Sequence, residues 1–152
     1  MERIFQYLTE KEEIALLQKG GTSRFSPESV IVREGDRHSA IYVIRHGEVR
    51  VEKGSMGFPL ELARLGSGEI FGEMSFIDGS PASANIVADD FVECYVIDHM
   101  LMKPLLKSYP SIYGRFYQSL AAILAVRLRE TSALVNADES DIPSWTPEMD
   151  RR

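Results

Sequence analysis

The sequence predicts a mainly β fold with flanking helices, built as an antiparallel β-roll of the jelly-roll or double-stranded β-helix type. Two observations support this prediction. Short β-rich runs separated by Gly, Asp, Ser and Pro fill the centre of the chain, a pattern typical of antiparallel sandwiches and barrels. Helical periodicity replaces it in a short N-terminal segment and in a long C-terminal segment.

Composition indicates one globular domain followed by a polar tail. The 152 residues are 44% hydrophobic, and 17 basic residues against 23 acidic ones give a net charge of −6. We expect the domain to cover residues 1–136 and an irregular acidic tail to cover 137–152. The longest uncharged apolar stretch, 119–126, is far shorter than a membrane span, so we expect a cytosolic protein. The acidic balance argues against direct contact with nucleic acid.

The N-terminal helix is predicted from a capping box. Thr9 is followed three residues later by Glu12, and each side chain can bond to the other residue's backbone N–H. We expect a helix over residues 10 to about 18, ended by Gly20 and Gly21.

Six runs are predicted to be strands: 29–33, 40–45, 48–53, 60–65, 85–88 and 91–97. Apolar and polar residues alternate in several of them, so one face should be packed and the other exposed. The residues assigned to the packed face by this alternation are Val49 and Val51, Leu60 and Leu62, and Val92, Cys94 and Val96.

Two helices are predicted after the strands. A short one covers 99–108, and a long one covers about 111–136 with Ser111 as its N-cap. The apolar residues of the long helix form more than one narrow stripe. We therefore expect one face to cover the β-domain and the other to form a homodimer with a second copy. The alternative is a helix that lies wholly against its own domain.

A glycine-rich segment, 66–75, is the most informative motif. It lacks the third glycine of a dinucleotide fingerprint, and the chain has no phosphate-binding loop of the GxxxxGK[ST] type. What remains is a bend that leads into a short helical turn near Gly72 and Glu73, whose N–H groups can face an anion.

Residues 71–84, with the sequence FGEMSFIDGSPASA, resemble the phosphate-binding cassette of the cyclic nucleotide-binding domains in catabolite activator proteins and protein kinase A regulatory subunits. Residues 34–36, 41–44 and 47–49 resemble the opening strands of that domain. Residues 127–132 resemble the end of the dimer helix in the catabolite activator branch. Together the similar segments span about residues 1–136.

The resemblance implies a set of ligand contacts in the cassette. Glu73 would accept a hydrogen bond from the ribose 2′-hydroxyl. The backbone amides of Gly72 and its neighbours Met74 and Ser75 would face the cyclic phosphate. Ser83 would add a hydroxyl to the phosphate site. Thr131 and Ser132 would meet the purine from the helix, in their own subunit and across the dimer axis; the alternative is an ordinary polar helix end.

Ala82 departs from the family pattern. Most ligand-binding members have an arginine at this position, and alanine offers the phosphate neither charge nor donor. We therefore expect cyclic AMP or cyclic GMP to bind weakly or not at all. Arg24 and Arg64 are the candidates to replace the missing cation. The alternative, which we favour, is that both side chains are exposed to solvent.

The remaining reactive residues predict no enzyme and no metal site. His38, His46 and His99 are separated in sequence and are expected at the surface. Cys94 is expected to be a small buried hydrophobe. Trp145 in the tail could fold back over a ligand, but an irregular tail is the simpler prediction.

The function predicted from these observations is a stand-alone regulatory or sensor module with no cofactor other than a weak cyclic AMP or cyclic GMP ligand. One alternative is a ligand-independent dimeric scaffold for an unknown downstream protein. A second is the effector domain of a transcription regulator that acts through a DNA-binding partner.

Overall fold

The structure is a computed structural model that describes residues 3–37, 40–54 and 57–137. Its elements follow one another in the order α1 (Glu10–Gly20), β1 (Thr22–Phe25), β2 (Val30–Val32), β3 (Ala40–His46), β4 (Val49–Lys53), β5 (Leu60–Leu65), β6 (Ile70–Phe71), α2 (Glu73–Asp78), β7 (Asn85–Ala88), β8 (Val92–Asp98), α3 (His99–Ser108) and α4 (Pro110–Ala137).

The strands form two four-stranded sheets in which all pairs are antiparallel. The strand orders are β1-β8-β3-β6 and β2-β7-β4-β5. The helices lie at the two ends of the chain, apart from α2, which follows β6. The mainly β fold with an N-terminal and a long C-terminal helix is therefore confirmed.

Strand β3 lies between two hydrophobic clusters. Ile41 and Val43 pack with residues of the helices, while Tyr42 and Ile44 pack inside the roll. Because successive side chains of a strand point to opposite faces, residues 40–44 are all buried. Over these five residues the strand has no exposed face, unlike the strands in which apolar and polar residues alternate.

The N-terminal helix begins and ends as predicted. The Thr9 hydroxyl accepts from the Glu12 N–H, and the Glu12 carboxylate accepts from the Thr9 N–H. Gly21 ends the helix with φ +69°. Helix α4 holds the N-terminal end of α1 in place, because the Arg115 guanidinium donates two bonds of 2.6 and 2.7 Å to the Glu12 carboxylate. The bond from Arg115 is the main cause that lowers the pKa of Glu12 to about 2.

Three local predictions were wrong or incomplete. Strands β1 and β6 were missed, because each is defined by its pairing with a distant strand, β8 and β3 respectively. Helix α4 begins at Pro110, so Ser111 is not its N-cap; proline suits a first helical position, where its fixed φ fits and no N–H is needed.

The alternation in β5 was also misleading. Leu60 and Leu62 are 64% and 52% exposed, whereas Ala63 and Leu65 line the interior of the roll. Leu60 and Leu62 therefore lie on the face of β5 that points away from the interior of the roll, where no described residue buries them.

The histidines and the cysteine behave differently from one another. His46 is exposed as predicted, and His38 lies outside the described residues. His99 is half-buried, since its Nε2 lies 2.8 Å from the Phe76 carbonyl and its ring stacks on Phe76 at 4.0 Å. The surface prediction for His99 was therefore wrong. Cys94 is buried as predicted, and burial raises its pKa to about 12.

None of the helices in the described ranges combines the length and apolar character needed to cross a lipid bilayer. Apart from Ala137, which ends α4, the predicted tail, including Trp145, lies outside those ranges.

Candidate ligand-binding site

The bend before α2 depends on a glycine. Gly72 has φ +84°, a conformation that side chains rarely adopt. A Cβ on this residue would lie 2.4 Å from the Ala40 carbonyl oxygen of β3. Glycine therefore lets the chain turn from β6 into α2 while the backbone packs directly against β3.

A cavity of about 240 Å³ opens beside this bend, inside the roll. Its walls are apolar on the side of the sheets and more polar where α2, the following loop and α4 approach. The lining residues are Val32, Ala40, Val51, Ala63, Leu65, Phe71, Gly72, Glu73, Met74, Ser75, Ala82, Ser83, Ala84, Ile86 and Arg127.

Six of the eight residues predicted to contact a ligand line this cavity: Gly72, Glu73, Met74, Ser75, Ala82 and Ser83. The first N–H groups of a helix have no acceptor within the helix, and in α2 they belong to Glu73, Met74 and Ser75. The arrangement therefore places backbone donors and one carboxylate at the same wall. Their contact with a ligand stays a prediction.

Thr131 and Ser132 do not line the cavity in this chain. Both are exposed on α4, and the Thr131 hydroxyl donates to the Arg127 carbonyl, four residues earlier, at 3.0 Å. A role for them requires either a second copy or a different position of α4.

The cavity wall contains a nearly buried ion pair. Glu73 is 7% exposed, and its carboxylate accepts a bond of 2.7 Å from Nη1 of Arg127. Nη2 of Arg127 donates to the Ile70 carbonyl at 2.5 Å. Because Arg127 belongs to α4, this pair connects the long helix to the first residue of α2 and to the strand before it.

Arg127 is the cation that the sequence prediction did not assign to the site. Its spacing offered a signal: it lies four, seven and eleven residues after Ile123, Leu120 and Phe116. All three pack in the helix-facing core, and such spacings share one face of a helix. A charged residue on an otherwise inward face needs a partner, and Glu73 provides it.

The two arginines named as possible replacements for the missing cation lie elsewhere. The Arg24 side chain is 83% exposed and pairs with Glu93. Arg64 pairs with Glu48, Glu61 and Asp89 on the outside of the second sheet. Neither lines the cavity.

The segment opposite α2 is held by the turn after β2. The Ala82 N–H donates to the Asp36 carbonyl and the Gly35 N–H donates to the Ala82 carbonyl, both at 2.8 Å. The Glu34 N–H also donates to the Asn85 side chain at 2.7 Å. The structure thus brings together residues 34–36 and residues 82–85, which lie about fifty positions apart in the sequence.

Helix α2 also contacts the C-terminal helices through its buried face. The Phe76 ring lies 6.0 Å from that of Phe116 and 6.2 Å from that of Tyr117, both on α4. His99 at the start of α3 bonds to the Phe76 carbonyl. A displacement of α2 would therefore disturb α3 and α4.

Comparison with known families gives a match over the roll. Residues 22–109 match the family model described as the cyclic nucleotide-binding domain. This span includes every strand, α2 and the cavity walls other than Arg127.

Two curated relatives illustrate the range of the match. The chain is 35% identical over 121 residues to the cyclic AMP receptor protein of Thermus thermophilus, covering 78% of this chain and 54% of that protein. It is 29% identical over 123 residues to cyclic GMP-binding protein C of Dictyostelium discoideum, covering 80% of this chain and 5% of that protein. The chain thus spans about half or less of the length of these relatives.

Two solved structures are similar in fold and sequence. The Thermus thermophilus catabolite activator protein matches with a TM-score of 0.74 and 30% identity, over 90% of this chain and 62% of that one. A cyclic nucleotide-binding domain from Methylobacillus flagellatus matches with a TM-score of 0.78 and 26% identity, over 89% of this chain and 82% of that one.

Proposed function

The chain belongs to the cyclic nucleotide-binding domain family, and we propose that it is a regulatory module that binds a cyclic mononucleotide weakly in the cavity beside α2. The observation that carries this proposal is the convergence of the α2 amides, the Glu73 carboxylate and the 82–83 segment on one cavity. Amides suit a cyclic phosphate, and a carboxylate suits a ribose hydroxyl.

Weak binding follows from the charges of the cavity wall. Arg127 and Glu73 offset each other, and Ala82 adds no cation. Loss of one charge-assisted bond removes about 1.5–3 kcal/mol, which corresponds to roughly a tenfold to 150-fold loss of affinity. We expect the lower part of that range, because Arg127 is close enough to share its charge with a bound anion.

Regulation would operate through the pair between Glu73 and Arg127. A ribose hydroxyl that donates to Glu73 competes with the Arg127 guanidinium for the same carboxylate. Since Arg127 belongs to α4, a ligand would change the contacts that hold α4 against the roll. Such a differential contact is what allows a ligand to shift a conformational equilibrium.

Replacement of Glu73 by glutamine tests the site. The amide oxygen of glutamine still accepts a bond from Arg127, but the charged acceptor for the ribose hydroxyl is lost. We expect the preference for cyclic AMP over its 2′-deoxy form, measured by isothermal titration calorimetry, to be about tenfold in the wild type and to be lost in the variant. Comparing the two ligands cancels the effect of the Arg127 charge that the substitution leaves unpaired.

Glu10→Gln on the outer surface of α1 is the matched control and should leave affinity unchanged. If the wild type releases or takes up no heat and shows no thermal shift with either nucleotide, the proposed function is wrong and the ligand-independent scaffold becomes the better description.

We also propose that α4 forms a homodimer. Ala121, Leu124 and Leu128 follow one another at spacings of three and four residues, the pattern of a two-stranded coiled coil. Leu128 is 68% exposed, so the described residues of its own subunit leave an apolar side chain on this helix uncovered. In such a dimer Thr131 and Ser132 could reach the partner's cavity.

Leu128→Glu tests the dimer. A glutamate at an apolar helix interface costs several kcal/mol on desolvation, so we expect association measured by sedimentation equilibrium to weaken by at least about a hundredfold. Leu62→Glu, on the exposed face of β5, should associate like the wild type. A wild type that remains monomeric at high micromolar concentration would contradict the dimer.

The absence of catalysis, the cytosolic location and the action through a DNA-binding partner stay predictions from the sequence.

A further inference from the structure

The position that lacks the cation lies beside a turn that carries two arginines. The turn covers residues 33–36 and is closed by a bond of 3.0 Å from the Asp36 N–H to the Arg33 carbonyl. Arg33 is its first residue, and Arg37 follows its last residue. The backbone of this turn is bonded to Ala82 on the cavity wall.

The pairing has the form of a glycine β-bulge. Gly35 and Asp36 together lie opposite the single residue Ala82, with Gly35 donating to its carbonyl and Asp36 accepting from its N–H. Gly35 has φ +90°, as such a bulge requires of its first residue. Like Arg24 and Arg64, Arg37 is not one of the residues that line the cavity. It differs from them because it directly follows Asp36, whose carbonyl accepts from the Ala82 N–H, so its backbone lies within the reach of one arginine side chain from Ala82.

The Arg37 guanidinium forms no salt bridge with a carboxylate in the described part of the chain. The paired arginines of the sheets, such as Arg24 and Arg64, form salt bridges with carboxylates, whereas Arg37 is exposed and makes none there. Arg127 can meet an anion only by sharing or breaking its bond with Glu73. Arg37 has no such bond with any of the described residues.

Arg33 carries the same charge but has a different orientation. Val32, the last residue of β2, is buried and lines the cavity. Successive side chains of an extended segment point to opposite faces, so Arg33 is expected to point away from the cavity. The two arginines of one turn therefore form a natural pair of test and control.

We propose that Arg37 supplies the cationic contact to the ligand phosphate that Ala82 does not supply. This inference rests on the proposed function, because it assigns the phosphate of a nucleoside cyclic phosphate to the 82–83 side of the cavity. Glu34 and Asp36 in the same turn reduce the net attraction. The contact is consequently a modest one at the solvent-exposed mouth and is weakened by salt.

Arg37→Gln tests the inference. We expect affinity for cyclic AMP, measured by calorimetry at low ionic strength, to fall about fivefold. Affinity for adenosine, which has no phosphate, should stay the same. Because the side chain is exposed, the unfolding temperature should also stay the same. Adding Ala82→Arg to the Arg37→Gln protein should restore the lost affinity, because it places a cation at the same phosphate.

Arg33→Gln is the matched control and should retain the affinity of the wild type. Equal losses in both variants would indicate a general effect of the charge of the turn and overturn the role of Arg37. Unchanged affinity in Arg37→Gln, with a wild type that binds, would overturn the inference alone. A wild type that binds no cyclic nucleotide would overturn the proposed function together with it.

Discussion

Replacement of Ala82 by arginine is expected to raise the affinity for cyclic AMP and cyclic GMP by about tenfold to a hundredfold. Ala82 lines the cavity across from α2, and two backbone bonds from the turn after β2 hold it in place. A guanidinium introduced there would meet the phosphate at a fixed position with charge and paired donors. Isothermal titration calorimetry with both nucleotides measures the gain.

Two controls separate position from charge. Ala82→Gln adds length and a neutral donor, so its gain should be much smaller than that of Ala82→Arg. Ser80→Arg adds the same charge to the same loop at an exposed residue outside the cavity wall and should change affinity little. If Ala82→Arg binds no better than the wild type, the phosphate does not lie beside residues 82–83.

Replacement of Gly72 by alanine is expected to lower the free energy of unfolding by about 3 kcal/mol and to abolish ligand binding. The left-handed backbone accounts for about 1–2 kcal/mol. The remainder, about 1–3 kcal/mol for a steric overlap in a packed region, comes from a Cβ placed 2.4 Å from the Ala40 carbonyl oxygen. Relief of that overlap requires α2 to move away from β3, which displaces Glu73 and the α2 amides. Urea unfolding measures the stability, and calorimetry measures the binding.

Gly79→Ala, at the other end of the same helix, is the matched variant. Gly79 has φ +71°, but a Cβ there would meet no atom within 4 Å. Its substitution should therefore cost only the backbone strain of about 1–2 kcal/mol and should preserve binding. Equal losses of stability in the two variants would show that the close approach of Gly72 to β3 does not matter.

Local signals predicted the local structure well. The Thr9 and Glu12 capping box, the glycines after α1 and the glycine bend before α2 each involve neighbours within a few residues, so their chemistry can be recognised in a short sequence window. The short strands β1 and β6 escaped prediction because each is defined by pairing with a distant strand, β8 and β3 respectively, rather than by its own composition.

Side-chain environments that depend on distant elements were predicted less well. Leu60 and Leu62 alternate with polar residues as core residues do, yet they are exposed, because the face of β5 that packs inside the roll is the one with Ala63 and Leu65. His99 was expected at the surface, but its imidazole bonds to the Phe76 carbonyl, which lies in the last turn of α2 and has no partner within that helix. The helical period of α4 places Arg127 on the face that packs against the core, but no feature of the neighbouring sequence indicated that the Glu73 carboxylate would pair with it.

The sequence by itself determined the order of the elements other than β1 and β6, the family resemblance and the absence of a cation at position 82, because these depend on residue identity and short-range spacing. Only the tertiary structure decided that Arg127 pairs with Glu73 in the cavity wall and that the turn carrying Arg37 is bonded to Ala82. Both arrangements join residues about fifty positions apart, and the hydrogen bonds and packing that select such pairings exist only once the two sheets and the long helix have closed around a common interior.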